Sequence, residues 1–176
     1  LLREKVPARN LLAIVETLID AVRTNKDPAL LTELVRQRLA VSICNSISPD
    51  RKTLHVLTLD PATEENLIGA TASAGVGSTE PPRRSDPRLL DTVLVRIANA
   101  AEKMIKSNLI PVVLCTPQLR RHLRALCERA APHVRVLSMS EVAAGFELRF
   151  FGSINAGANV AAVPSPVQEV PARTAS

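Results

Sequence analysis

Aromatic residues are nearly missing: the 176-residue chain has no tryptophan, no tyrosine and three phenylalanines. Its core must be aliphatic, and a surface that holds single-stranded nucleic acid by stacking bases on rings is excluded. Cysteine is scarce too. Cys44, Cys115 and Cys127 are odd in number, far apart and without a CxxC pair, which argues against a disulfide framework or a zinc site and fits a reducing cytosol. His55, His122 and His133 are equally scattered, with no HExxH spacing, so neither a metal nor another cofactor is expected. Among six glycines the GVG of SAGVGSTEPP has no strand before it and no Gly-Lys-Ser/Thr after it, and so it is read as loop and not as a phosphate cradle. No run approaches the roughly 20 apolar residues that a bilayer-spanning helix needs, and the start shows no charged segment followed by an apolar core.

Aliphatic content is what the chain does have. Hydrophobic residues make up 46% of it, ample for a packed core. The net charge of +5 is spread among acidic residues without a long basic run, which describes a mixed solvated surface. The opening LLREK lacks a Met and is read as the close of an earlier helix that belongs to a longer protein.

Residues 7 to 24 set Leu11, Leu12, Val15, Leu18, Ile19 and Val22 on one helical stripe. Asp27-Pro28 then caps a second helix with Leu31, Leu34, Val35 and Leu39 on one face, and the short TNKD link predicts a helical hairpin. After the turn SPDRK, residues 54 to 60 form a strand apolar on both sides, and Asp60-Pro61 opens a short helix with Glu64 and Glu65 in its first turn. Residues 72 to 84 are rich in Gly, Ser, Pro and Thr and read as a surface loop. From Ser85 a long helix runs to Asn108, with Leu90, Val93, Leu94, Ile97, Ala101, Met104 and Ile105 at helical spacing to cover a sheet.

In IPVVLCTPQLRRHLRALCERAAPHVRVLSMSEV, residues 110 to 142, the pattern is strand, Thr-Pro cap, helix, strand: a parallel β-α-β unit. The helix buries Leu119, Leu123, Leu126, Cys127 and Ala130, and turns Arg120, Arg121, Arg124, Glu128 and Arg129 outward, Arg124 and Glu128 at ion-pair spacing. FELRFFGSI alternates as an antiparallel or edge strand does. The predicted fold class is α/β: a helical hairpin subdomain over 1–48, a small α/β subdomain with a mixed, partly parallel sheet over 49–154, and a disordered tail over 155–176.

Cys115 followed after five residues by Arg121 has the spacing of a cysteine phosphatase loop. That loop works by pointing backbone N–H groups at phosphate, and here no glycine intervenes and Pro117 has no N–H. A buried structural thiol is the expected state, so no catalytic residue is assigned. The arginine face of the same helix is the competing feature, a dock for an acidic partner or a plain solvated surface.

LLREKVPARNLLAIVETLIDA, DPALLTELVRQRLA and the 110–142 stretch, in that order, resemble the carboxy-terminal cytoplasmic region of the large export-gate protein of type III secretion systems, the FHIPEP family of flagella and injectisomes. The resemblance covers roughly residues 1 to 153. It implies a non-catalytic transport scaffold, anchored in the bacterial inner membrane by an amino-terminal region and assembled as a nonameric ring at the cytoplasmic face. The ring would receive chaperone-substrate complexes beside the export ATPase and other export components; the resemblance does not separate a flagellar from a virulence or symbiosis system. Candidate ring or partner contacts are Arg3, Glu4, Arg9 and Asn10 at the leading end, and Arg120 and Arg124 on the basic helix. A free-standing regulatory binding module is the alternative, with the phosphatase behind it.

Overall fold

In a computed structural model, the described residues are Glu4, Val6, 10–72 and 87–156. They form six α-helices and four strands in the order α1 (Leu11–Val22), α2 (Pro28–Arg38), α3 (Ala40–Ile47), β1 (Thr53–Leu59), α4 (Pro61–Ala72), α5 (Pro87–Lys106), β2 (Val112–Cys115), α6 (Pro117–Ala130), β3 (Arg135–Ser138) and β4 (Glu147–Ile154), with a 3-10 turn at Met139–Glu141. The predicted loop over 72–84 and most of the predicted tail lie outside the described residues, as do Arg3 and Arg9.

Local chemistry places the ends of these elements. Asn10 Oδ1 accepts from Ala13 N at 3.2 Å and starts α1, and Asp27 Oδ1 accepts from Ala29 N at 2.9 Å and starts α2 with Pro28 behind it. In the SPDRK turn, Asp50 Oδ1 accepts from Ser48 Oγ, Lys52 N and Thr53 N, which holds its carboxyl well below the usual range and aims the chain into β1. At the end of α5, Asn108 takes a left-handed φ of 57°, and Leu109 N and Asn108 N return to the carbonyls of Met104 and Ile105, a Schellman stop. The helix α3 has no counterpart in the sequence reading. Leu39 breaks α2 at φ −91°, ψ 10° and restarts the chain as AVSICNSI, a segment too short to display a period of its own.

The sheet order is β3-β2-β1-β4, parallel in every pairing. β4 is thus an edge strand as expected, yet it pairs parallel with β1, and the sheet is not mixed. The reason is the return path: after β3 the 3-10 turn and Gly145, at φ 91°, bring residue 147 back beside Thr53, the start of β1. A bulge at Phe151 lies between the pairs Val56–Phe150 and Leu57–Gly152.

Both faces of the sheet are covered, which is why β2 (VVLC) is buried throughout and β1 buries Leu54, Val56, Leu57 and Leu59 on its two sides while Thr53, His55 and Thr58 stay half-buried. Leu57, Leu59, Val113, Cys115, Val136 and Ile154 meet α4, α5 and α6 on one side. On the other side, Leu54, Val56, Val112, Leu114 and Leu137 meet Val6 and helices α1 to α3. The helical layer therefore shares a core with the sheet.

One expectation reverses. The stripe on α1 was predicted to pack, but Leu11, Leu12, Val15, Ile19 and Val22 are 43–69% exposed. Helix α1 docks instead through Ala13, Ile14 and Leu18, a face rotated away from the richest one. Five large aliphatic side chains on one helix face water.

Candidate functional site

Cys115 ends β2 at 3% exposure, and its thiol lies 3.6 Å from the Leu137 carbonyl. Burial and the nearby Glu64 carboxylate push that thiol far above its ordinary value. Glu64 does more: its Oε1 accepts from Thr116 N at 2.6 Å, so a carboxylate of the protein already occupies the start of α6, where a phosphatase loop would hold phosphate. Thr116 stands at the cap position without making a side-chain cap. Arg121, the arginine of the phosphatase spacing, is exposed. Burial raises Cys127 to about 11 and raises Cys44 as well. A thiol protonated at neutral pH is a poor nucleophile. Among the described residues no three His, Cys, Asp or Glu side chains cluster as metal ligands.

The predicted contact residues separate. Asn10 is spent on capping α1. Glu4 and Arg120 meet directly, inside an ionic network that the basic-face reading of α6 did not foresee. Arg120, expected on the wet face, is 1% exposed. Its Nε donates to Glu33 Oε2 at 2.6 Å, its Nη2 to Glu33 Oε1 and its Nη1 to Glu4 Oε2 at 2.8 Å. Burial alone would weaken the Arg120 cation, but the bonds to Glu33 and the charge of Glu4 outweigh it and raise its pKa. The cause of the burial is helical phase. Arg120 lies seven residues before Cys127, two turns along the same side of α6, and α2 closes over it.

Arg36, 2% exposed on α2, is the second hub. It donates to Glu4 Oε2 at 2.7 Å and to Glu141 Oε1. Glu141, 1% exposed, also accepts from Ser138 N at 2.7 Å and Ser138 Oγ at 3.1 Å, capping the 3-10 turn. One carboxylate oxygen of Glu4 thus joins α2 to α6. Burial would raise the Glu4 carboxyl, but Arg36 and Arg120 prevail and hold it below its usual value. Arg135 donates to the Glu4 backbone carbonyl.

Arg124 is half-buried and not free in solvent. Its Nη1 donates to the Val134 carbonyl at 2.8 Å, so the expected pairing with Glu128 gives way to a bond that ties α6 to β3. Glu33, Arg36, Arg135 and Glu141 escaped the sequence reading. Their elements were placed, but contacts 32 to 131 residues apart leave no local signature.

The network is therefore structural. Among the described residues the exposed α1 stripe gathers five large aliphatic side chains on one helix, while Val41, Val95, Met139 and Phe150 are exposed elsewhere. Beside the stripe runs an open groove between α1 and α2, lined by Glu16, Asp20, Leu34 and Arg38. No helix of the described residues is long and apolar enough to cross a membrane.

Residues 1–147 match the model of the FHIPEP family. The chain is 32% identical over 157 residues to the flagellar biosynthesis protein FlhA of Bacillus subtilis, covering 88% of this chain and 22% of that protein. Among solved structures, it resembles a chain in the structure of the Chlamydia pneumoniae CdsV and CdsO protein complex, with a TM-score of 0.70, 27% identity, 86% of this chain and 43% of that one. It also resembles nonameric EPEC SctV-C, with a TM-score of 0.67, 27% identity, 86% of this chain and 44% of that one. The chain thus spans about a fifth of the curated relative and under half of each solved chain.

Proposed function

The chain belongs to the FHIPEP family, and from that premise we propose that it is a non-catalytic cytoplasmic part of the export gate of a type III protein secretion system. In this reading it contributes to a ring of nine copies at the cytoplasmic face of the bacterial inner membrane. The ring receives chaperone-substrate complexes and works beside the export ATPase and other export components. The helical layer up to residue 48 supplies lateral contacts, and the sheet unit over 49–154 braces it.

The observation that carries this reading is the α1 stripe. Leaving Leu11, Leu12, Val15, Ile19 and Val22 in water forgoes about 25 cal/mol for each Å² of apolar surface they would bury. Solved relatives of the same fold include nonamers, and in this reading a second copy of the chain covers the stripe. The buried thiols and the Glu64-occupied start of α6 speak against the phosphatase.

The test replaces Val15 and Ile19 by Glu in the full-length gene. Both side chains face solvent, so the fold should hold while ring assembly and release of substrate proteins into the medium fall together. Deleting residues 1 to 154 should stop release and leave the parent in the membrane fraction. Normal release from the deletion strain would refute the proposal.

A further inference from the structure

Among the described residues the charge balance around Glu4 does not close. Four guanidinium groups, those of Arg36, Arg120, Arg124 and Arg135, converge with three carboxylates, those of Glu4, Glu33 and Glu141, for a net charge of one positive. Arg36 and Arg120 each hold two carboxylates. Among the described residues Arg124 and Arg135 donate to carbonyl oxygens, those of Val134 and Glu4. The Nε–H of Arg124 is buried and has no protein acceptor. Where these groups meet, a cavity of about 20 Å³ is walled by Glu4, Arg36, Ser46, Arg124, Arg135 and aliphatic side chains that include Val136.

The geometry points to a seat for one small inorganic anion of halide size in this cavity, held by Arg124 and Arg135. Arg124 and Arg135 are each half-buried, so only part of the excess positive charge is desolvated beside the aliphatic walls, and an anion offsets that part where a neutral water leaves it standing. Burial and the Arg124 charge already disfavour ionised Arg135, as expected of a cluster with excess positive charge. The sequence neighbours of Glu4 are Arg3 and Lys5, both cationic, and supply no carboxylate. Size sets the ligand class: a volume near one or two water-sized spheres admits a halide and shuts out phosphate, sulfate or a partner's carboxylate side chain. The Glu4 carboxylate opposes the anion, but its Oε2 is engaged by both Arg36 and Arg120. The seat lies where the leading segment, α3, α6 and β3 come together, so its occupant would brace the chain just ahead of α1.

Crystals of this chain soaked in sodium bromide test the seat directly, with an anomalous peak expected within hydrogen-bonding reach of Arg124 Nε. In solution at constant ionic strength, chloride replacing gluconate, which is too large to enter, should raise the thermal midpoint by about 3 °C and then saturate. Arg124→Met should abolish the saturable part. Water without bromide at the site, or a chloride response identical in Arg124→Met and the unaltered chain, would overturn the proposal. If Arg124→Met fails to fold, the bromide map of the unaltered chain decides alone.

Discussion

Replacing Arg120 by Ala separates two pictures of α6. On a wet basic face the change would cost nothing beyond about 0.5 kcal/mol. In the fold described above it removes the hub that holds Glu33 and Glu4, deleting three charged hydrogen bonds from a side chain 1% exposed. Breaking a buried ion pair from one side typically costs about 3–5 kcal/mol, because the stranded partner keeps its desolvation penalty. Glu33 and Glu4 are 19% and 20% exposed, so water recovers part of that penalty and the lower end applies, about 3 kcal/mol. Against a domain stability of roughly 5–15 kcal/mol this is a large fraction.

Urea unfolding of the chain reads the effect. With a slope of about 2 kcal/mol/M, the midpoint should fall by about 1.5 M while the slope is unchanged. A second arm takes Arg120→Met with Glu33→Leu. The double variant should be more stable than the sum of the two single losses predicts, with a coupling above about 1 kcal/mol. A midpoint for Arg120→Ala within about 0.3 M of the unaltered chain would refute the network as drawn. Arg120→Glu, which would be harmless on a wet basic face, becomes an unfolding change, since it would press three carboxylates together. Arg121→Glu and Arg129→Glu are the probes that leave the fold intact, because both side chains are exposed.

Thiol reagents at neutral pH should label Cys44, Cys115 and Cys127 slowly in the native chain and fast in urea, and Cys115→Ser should leave secretion intact; rapid native labelling coupled to loss of secretion would restore the enzyme reading. Leu123→Ala, at a fully buried position between α6 and the sheet, should cost about 2–5 kcal/mol and give a temperature-dependent export defect with the parent protein still in the membrane. Glu4, its carboxyl held below the ordinary value of 4.5, contributes stability that is complete above that pH and drains away as pH falls beneath it; Glu4→Gln should flatten this acid limb in urea midpoints taken across it, and an unchanged limb would count against the Arg36–Glu4–Arg120 bridge.

What was legible in the sequence is what local rules determine. The Asp27-Pro28 cap, the proline that opens α6, the periods of α2 and α5, and the aliphatic runs of β1 and β2 each act within a few residues, and they fix element type and the parallel β-α-β unit. The Asn10 cap of α1 has no counterpart in the sequence reading, and Thr116 makes no side-chain cap. Two failures share one cause. A helical period reveals a rich apolar face, but which face meets the core depends on the rest of the protein. On α1 the richest stripe points to solvent while Ala13, Ile14 and Leu18 dock. On α6 an arginine takes a core position because carboxylates from α2 and the leading segment await it.

These two departures are complementary. A helical layer fastened to a sheet by apolar packing alone would have no use for buried Arg36 and Arg120, since aliphatic residues of equal volume hold such layers at least as firmly. Charge pairs differ in being directional. Glu4 accepts from both arginines through one oxygen, which fixes its side chain against α2 and α6, and a fixed Glu4 would bias how α1 is rotated. That rotation sets the less apolar face inward and holds the stripe outward, against the local preference of the helix. If the bridge is the cause, neutralising Glu4 should loosen α1 before the rest of the fold. Amide exchange in Glu4→Gln would then show protection lost first over 11–22, with β1 and β2 still protected; uniform loss across the chain would assign the rotation of α1 to the packing of Ile14 and Leu18 alone.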